Sequence, residues 1–395
     1  MIRAIKLIEI LAAIWLSIYI VSLGSDMAWF TYSENPVKNV FRVSAIEYDA
    51  VVRPVSALDP ESTDDDDEDS DDDDYEAYDP TETSGEDGIG QLIGGTEVRV
   101  SEKNFYICGN AAYSFYDYYE PKAITYAEAI SNVAECLDGE ATVYSIIVPE
   151  ALGMALLDEY KAVIQPEDMG EAIEKTYAFM SDKVHTVDAY SNLYAHKDEY
   201  LYFRTDHHWT QIGAYYAYQA FCAAAGLQAT RLSDHESTVY DGFLGSWYTH
   251  SDGDPALGAT PDYLKLYYPI SKNYSFWVTW EDGTTGDAQL IVDVGDYSAS
   301  NKYSAYTCGD RPLSIITNNE ITDGSACLLS KDSFGNPFSI FLMDHYQYTY
   351  MIDYRKYTGS ILSLVRENNI TDVIFLNPVT LAQGDTPDQI KAMTY

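Results

Sequence analysis

An α/β domain with a largely parallel central sheet is the fold class the sequence predicts, and three observations lead to it. From about Thr96 to Tyr395, short strand-like runs alternate with helix-like ones. The helix-like runs carry apolar residues on one face, as in "YAEAISNVAECL" (126–137), where Ala127, Ile130, Val133, Ala134 and Leu137 align. Apolar residues make up 46% of the 395, enough for one large core with appendages.

The appendages come first in the chain. Arg3 and Lys6 precede an apolar run from Leu7 to Leu23, a positive flank followed by an apolar stretch, which is the pattern of export. The run lies near the lower length limit for spanning a bilayer. Ser22 and Gly24 form only a weak small-x-small cleavage site, so residues 1–24 read as a signal peptide or an uncleaved signal-anchor. A buried helix of the domain is the plainer alternative. The export reading places everything downstream outside the cytoplasm, secreted or held at the cell surface. Residues 25–58 are weakly patterned and read as a membrane-proximal segment.

Residues 59–95 are acidic and of low complexity. Between Asp59 and Asp87 there are 17 Asp and Glu residues and no Lys or Arg, within a chain of net charge −40. Self-repulsion and the shortage of apolar residues predict an extended, disordered linker. Clustered carboxylates also attract calcium, but the run lacks the glycine-turn spacing of an EF-hand loop. The acidic balance of the whole chain excludes a nucleic-acid partner, whose phosphates need a basic face.

The domain is expected over 96–395. Its strand-like runs, in order, are "FYICG" (105–109), "TVYSIIVP" (142–149), "YLYF" (200–203), "YLKLYYPI" (263–270), "PLSIIT" (312–317), "ACLLS" (326–330), "YTYMID" (348–353) and "DVIFLN" (372–377). Helices are expected over 126–137, over 210–226 with Thr210 as N-cap and Gly226 as stop, and over 359–368. No internal repeat is visible. The five cysteines form no C-x-x-C pair, which argues against a thiolate zinc site or a redox motif. Cys222, in an Ala-rich helical run, reads as a buried apolar residue.

Two polar stretches carry chemistry. "SACLLSKDSFGNP" is a strand-like run followed by a helix start, with Asn336 a good N-cap and Pro337 a good first helical residue. Ser333 then falls in the turn at the C-terminal end of a strand, the edge where open α/β sheets bind ligands. Backbone N–H groups there can stabilise an oxyanion. The plain alternative is a serine that only turns the chain.

A serine nucleophile needs a base and an orienting acid, and "YLYFRTDHHWT" supplies both within three residues. If the stretch continues extended, Asp206 and His208 share one face and His207 takes the other. That favours His208 as base, with His207 in support. Asp206, His207 and His208 can also ligate a metal, but His235, His250 and His345 are isolated and complete no cluster. A histidine that only ties down a turn is the third reading.

Together the motifs resemble the DHHW family of exported bacterial proteins and the alginate O-acetyltransferase branch of the SGNH hydrolase superfamily. The stretches that carry the resemblance are "YFRTDHHWTQIGAYYAYQAF", "FLGSWY", "KDSFGNPF" and "MIDYRKYTGSILSLVRENNITDVIFLN", in the family's order and over most of residues 100–380. "DHHWT" followed more than a hundred residues later by "DSF" is the specific part. The resemblance implies a three-layer SGNH-hydrolase-like domain with permuted motif order, the acid–histidine block preceding the serine block. Carried over residue by residue, Ser333 is the nucleophile, His208 the general base and Asp206 its orienter. Asn377, at the end of "DVIFLN", takes the place of the oxyanion asparagine, although the usual G-x-N-D wording is absent. Arg355 in "IDYR" would reach the same sheet edge to orient the site or a substrate oxygen, with a surface salt bridge as the alternative. Asn336 is a supporting residue or simply the helix cap.

The activity the resemblance implies is acyl chemistry on an oxygen: O-acetylation or deacetylation of a cell-envelope polysaccharide through an acetyl-serine. It implies no metal and no cofactor. As a transferase the protein would need a membrane acyltransferase partner as acetyl donor; as an esterase it would take an acetylated sugar and water. The 36 tyrosines suit stacking on sugar rings, and equally suit cores and edge strands. Two other functions stand beside this one: a non-catalytic glycan-binding or envelope-assembly protein on the same scaffold, and a metal-dependent hydrolase.

Overall fold

The computed structural model describes residues 91–93 and 96–394. The expected signal segment (1–24), the membrane-proximal segment (25–58) and nearly all of the acidic linker (59–95) lie outside the described residues. The linker's last part does not stay linker: Gln91–Ile93 forms strand β1, paired antiparallel with β2 (Thr96–Val100). β3 (Phe105–Cys108) and β4 (Ala111–Ser114) complete a four-stranded antiparallel sheet. "FYICG" is therefore a strand, but of this small sheet. No helix among the described residues is long and apolar enough to cross a membrane.

The central sheet holds eight strands. In chain order they are β5 (Thr142–Val148), β6 (Val184–Thr186), β9 (Tyr274–Thr279), β10 (Thr285–Asp287), β11 (Leu313–Asn318), β12 (Ala326–Lys331), β13 (Tyr348–Asp353) and β14 (Asp372–Pro378); β7 (Ser237–Phe243) and β8 (Asp262–Tyr267) pair separately as a ribbon. The spatial order is β10-β9-β11-β13-β12-β14-β5-β6. The five strands from β13 to β6 are parallel. β11, β9 and β10 extend them antiparallel, so the largely parallel sheet carries an antiparallel wing.

β12 "ACLLSK" is buried at every residue, and β14 "DVIFLNP" at all but its first. A parallel strand covered on both faces needs such a run. Helices supply the cover in two packing groups, which makes three layers. α1 (Glu120–Cys136) contacts α2 (Met169–Ala178), α6 (Ile361–Glu367) and α7 (Thr386–Ala392); α4 (Gln211–Ala225) contacts α3 (Ala189–Ala195) and α5 (Gly335–Leu342). α4 has the expected ends. The Thr210 hydroxyl accepts from the Gly213 N–H, and Gly226 closes the helix at φ +70°, a left-handed conformation that glycine adopts without a Cβ clash.

"YLYF" is not a strand. Only Tyr202 makes a bridge, antiparallel to Trp209. The chain folds back there, with Thr210 N donating to Leu201 O at 2.8 Å and Phe203 N to His208 O at 3.2 Å. The Tyr202 hydroxyl donates to Pro149 O at 2.5 Å, which ties this loop to the chain just beyond the C-terminal end of β5.

Candidate active site

Because β12, β13, β14 and β5 run parallel, the residues that follow them gather on one sheet edge. Ser333 lies two residues past the end of β12. The turn is closed by Gly335 N to Asp332 O at 3.0 Å and Asn336 N to Ser333 O at 3.2 Å, and by Phe334 N donating to Asp332 Oδ1 at 2.9 Å. α5 starts at Gly335, so Asn336 is not its N-cap and Pro337 not its first residue. Phe334 is the N-cap residue, with no side chain capping the helix, and the Asn336 side chain donates from Nδ2 to Asp310 Oδ1 at 2.9 Å.

The acid–histidine loop is held by a carboxylate that sequence reasoning missed. Buried Asp262, the first residue of β8, accepts from Arg204 N (3.0 Å), Arg204 Nε (3.0 Å), Thr205 N (2.8 Å), Thr205 Oγ1 (2.7 Å) and the Tyr200 hydroxyl. With its base so fixed, the loop bends. Asp206 Oδ1 accepts both the backbone N–H of His208 at 2.9 Å and its ring Nδ1–H at 2.7 Å. Asp206 and His208 thus meet through a side-chain-capped turn rather than through strand alternation. The expectation that His207 takes the opposite face fails for the same reason. Its ring centroid lies 3.7 Å from that of His208, and its Nδ1 meets Ser246 Oγ at 2.6 Å.

His208 Nε2 lies 2.6 Å from Ser333 Oγ. With Nδ1–H committed to Asp206, Nε2 is the ring's acceptor, and Asp206, His208 and Ser333 form one hydrogen-bonded chain. All three are buried. The loop and the turn are bound a second time by Trp209 Nε1, which donates to Phe334 O at 2.9 Å. Ser246 N donates to Asp206 Oδ2 at 2.8 Å. The neighbouring Gly245 packs so closely that a Cβ there would overlap the Asp206 carboxyl group. Gly245 and Ser246 lie in "FLGSWY", so their signal was in the sequence without a role attached. Nothing in sequence pointed to Tyr303, which stacks on the His208 ring at 3.8 Å and 9°.

Burial alone would raise the Asp206 carboxyl, but the imidazoles of His208 and His207 and the Ser246 N–H outweigh it and hold the group well below the usual carboxylate range. For His208, burial and then His207 push the imidazole below its ordinary value, against the pull of Asp206 and Asp310. Asp332 behaves oppositely: burial pushes its carboxyl up to about 7, only partly offset by Arg355, by the Tyr354 hydroxyl donating at 2.9 Å and by the Phe334 N–H.

The remaining expected residues divide. Asn377, fully buried at the end of β14, accepts at Oδ1 from the Tyr126 hydroxyl at 3.1 Å, while its Nδ2 is buried with no hydrogen-bond partner among the described residues. An unmatched buried donor is costly, and this one belongs to the sheet edge that carries Ser333. Arg355 follows β13 on the same edge but is engaged by carboxylates, donating to Asp353 Oδ2 at 2.8 Å and Asp310 Oδ2 at 2.6 Å. Buried Lys331 donates to Asp310 Oδ1 at 2.6 Å. Asp310 thus gathers Lys331, Asn336 and Arg355 beside the serine turn, a buried ion network rather than a surface salt bridge. A metal could be offered one atom each by Asp206, His207 and His208, all within 4.8 Å. In this arrangement, however, His208 Nδ1 is bound to Asp206 and Nε2 to Ser333.

The family model described as "DHHW protein" matches residues 40–352. The chain belongs to the DHHW family. Among solved structures, this DHHW protein is similar to a DHHW family protein from Eubacterium siraeum, with TM-score 0.66 and 27% identity over 77% of this chain and 97% of that one. It is also similar to Bacillus cereus PatB1, solved with a sulfonyl adduct, at TM-score 0.59 and 18% identity over 78% of this chain and 100% of that one. That second likeness shows the fold, an α/β domain with a largely parallel central sheet as the sequence predicts. No curated protein matches the chain significantly.

Proposed function

We propose that this DHHW protein performs serine-dependent acyl transfer or hydrolysis outside the cytoplasm, through an acetyl-serine at Ser333, on a cell-envelope polysaccharide. The observation that carries the reading is the chain from Asp206 Oδ1 through the His208 ring to Ser333 Oγ, with links of 2.7 and 2.6 Å. General-base catalysis needs contacts of this length. The acetyl and polysaccharide classes rest on the pairing of "DHHWT" with "DSF", which resembles the alginate O-acetyltransferase branch.

The mechanism follows from the parts. His208 Nε2 takes the hydroxyl proton of Ser333 as Oγ attacks the acetyl carbonyl. Asp206 holds the Nδ1–H tautomer and stabilises the imidazolium that forms. The Ser333 backbone N–H and the unmatched Nδ2–H of Asn377 receive the oxyanion. His208 then returns its proton to the departing oxygen, leaving acetyl-serine. In the second half a sugar hydroxyl or water gives its proton to His208 and attacks the acyl group, and Ser333 is restored. As a transferase, the protein would receive acetyl from a membrane acyltransferase partner, since acetyl-CoA is not available there.

Incubation with 4-nitrophenyl acetate, with and without acetylated polysaccharide, tests this. Intact-mass measurement should show one acetyl group, mapped to Ser333 by peptide sequencing and absent in Ser333→Ala. If wild-type protein neither turns over activated acetyl esters nor acquires the acetyl group, the reading is wrong and a glycan-binding role takes its place.

A further inference from the structure

The base is gripped on both ring faces, and the two grips differ. On one side stands His207, its ring centroid 3.7 Å away and tilted by 37°. On the other lies Tyr303, nearly coplanar at 3.8 Å and 9°. Tyr303 belongs to a 3-10 turn over Ala299–Ala305, far in sequence from both motifs. Its hydroxyl donates to Ser333 O at 3.0 Å. One side chain therefore touches the base through its ring and the nucleophile's backbone through its oxygen.

Both contacts bear on acyl transfer. An imidazole free to rotate about its Cβ–Cγ bond would swing Nε2 away from Ser333 Oγ, and a misplacement on the order of 1 Å can cost about 100-fold in rate. An aromatic face also attracts the positive charge that His208 acquires when it takes the serine proton. His207 opposes that charge, while Asp206 and Asp310 favour it; Asp206, Asp310 and Asp332 also surround Tyr303. The face opposite His207 is thus the one on which a neutral ring can favour the protonated base. The hydroxyl fixes the other partner, since the Ser333 carbonyl it binds also accepts Asn336 N–H at the start of α5.

We infer that Tyr303 is a positioning residue of the acyl-transfer site, its ring holding the His208 imidazole against Ser333 and its hydroxyl fixing the backbone of the nucleophile. The inference rests on the reading of Ser333 as nucleophile. Its test uses phenylmethanesulfonyl fluoride as probe, following covalent modification of Ser333 by mass across pH 5–9, in the wild type, Tyr303→Phe and Tyr303→Leu, with thermal melting of each. Tyr303→Phe keeps the ring and loses the hydroxyl; Tyr303→Leu loses both.

The expected result is labelling slower by about threefold for Tyr303→Phe, which gives up the hold on the Ser333 carbonyl, and by about 30-fold or more for Tyr303→Leu, in line with the cost of misplacing a reacting group. The acid limb of the pH profile should also move in Tyr303→Leu alone. A merely structural tyrosine would lower the melting temperature of Tyr303→Leu and leave that limb where it was. Equal rates and equal pH profiles in all three proteins would overturn the inference, as would Tyr303→Phe losing as much as Tyr303→Leu, since the ring would then do nothing. Should Tyr303→Leu not fold, Tyr303→Trp, which restores an aromatic face, must recover labelling relative to Tyr303→Met. A wild type that the probe never labels at Ser333 would mean that the acyl-transfer reading itself has failed.

Discussion

His208 Nε2 and Ser333 Oγ stand 2.6 Å apart across 125 residues of chain, and a second bond between the same two motifs runs beside that contact. The meeting depends on the sheet edge to which both the loop and the turn are tied. Trp209 Nε1 on Phe334 O and the Asp262 carboxylate under Arg204 and Thr205 hold the two halves in register.

Asp206→Asn should drop acetyl-ester turnover by about 10³–10⁴-fold while leaving the fold intact, because an amide presents a donor where the His208 Nδ1–H needs an acceptor and so reverses the tautomer. Steady-state kinetics beside a near-UV circular dichroism spectrum check it. Turnover within tenfold of wild type would remove Asp206 from the proposed relay.

The acid limb of kcat/KM should fall below about pH 6.5, the ordinary histidine value. Burial and His207 lower the His208 imidazole, so it stays neutral, and able to take a proton, into mildly acidic solution. The free enzyme's base sets this limb. A midpoint above the ordinary value would show that the base is not in the environment described.

Gly245→Ala should behave like damage to the acid itself. A Cβ at this position overlaps the Asp206 carboxyl group, so either the Ser246 N–H bond to Oδ2 or the His208 bond to Oδ1 must break. The expected loss is about 100-fold in turnover, the usual scale for small displacements of a reacting group. Gly245→Ala retaining wild-type kinetics would show that the loop yields freely.

Asp332→Asn should change the pH dependence of stability in a definite direction. The folded carboxyl titrates at about 7 and the unfolded one at about 3.9. A raised value means that its contribution is fully present below about pH 4 and is lost as pH rises through 7. The melting temperature of wild type relative to Asp332→Asn should therefore decline between pH 4 and 7 and level off above. A difference that does not vary with pH would contradict the buried, protonated state of Asp332.

Much of the fold was legible because buried parallel strands announce themselves. "TVYSIIVP", "ACLLS", "YTYMID" and "DVIFLN" are β5, β12, β13 and β14 within a residue or two. The short wing strand β10 and the edge strand β6, with three residues each, hold too few apolar residues to stand out. "YLYF" misled because β-prone residues can also pack a folded-back loop: Leu201, Tyr202 and Phe203 are all buried. At the site, Asp206, His208 and Ser333 were readable as reactive types at telling spacings. Asp262, Tyr303 and Asp310 were not, since an ordinary Asp or Tyr acquires its place only from tertiary contacts.

β12, which delivers Ser333, is hydrogen-bonded between β13 and β14, and β14 spans Asp372–Pro378. A chain interrupted before residue 372 has the histidine loop, the serine and their turn residues in full, yet lacks the neighbour that walls one side of the strand leading to Ser333 and carries Asn377. The proposed site is therefore complete only when the last parallel strand has joined the sheet beside β12.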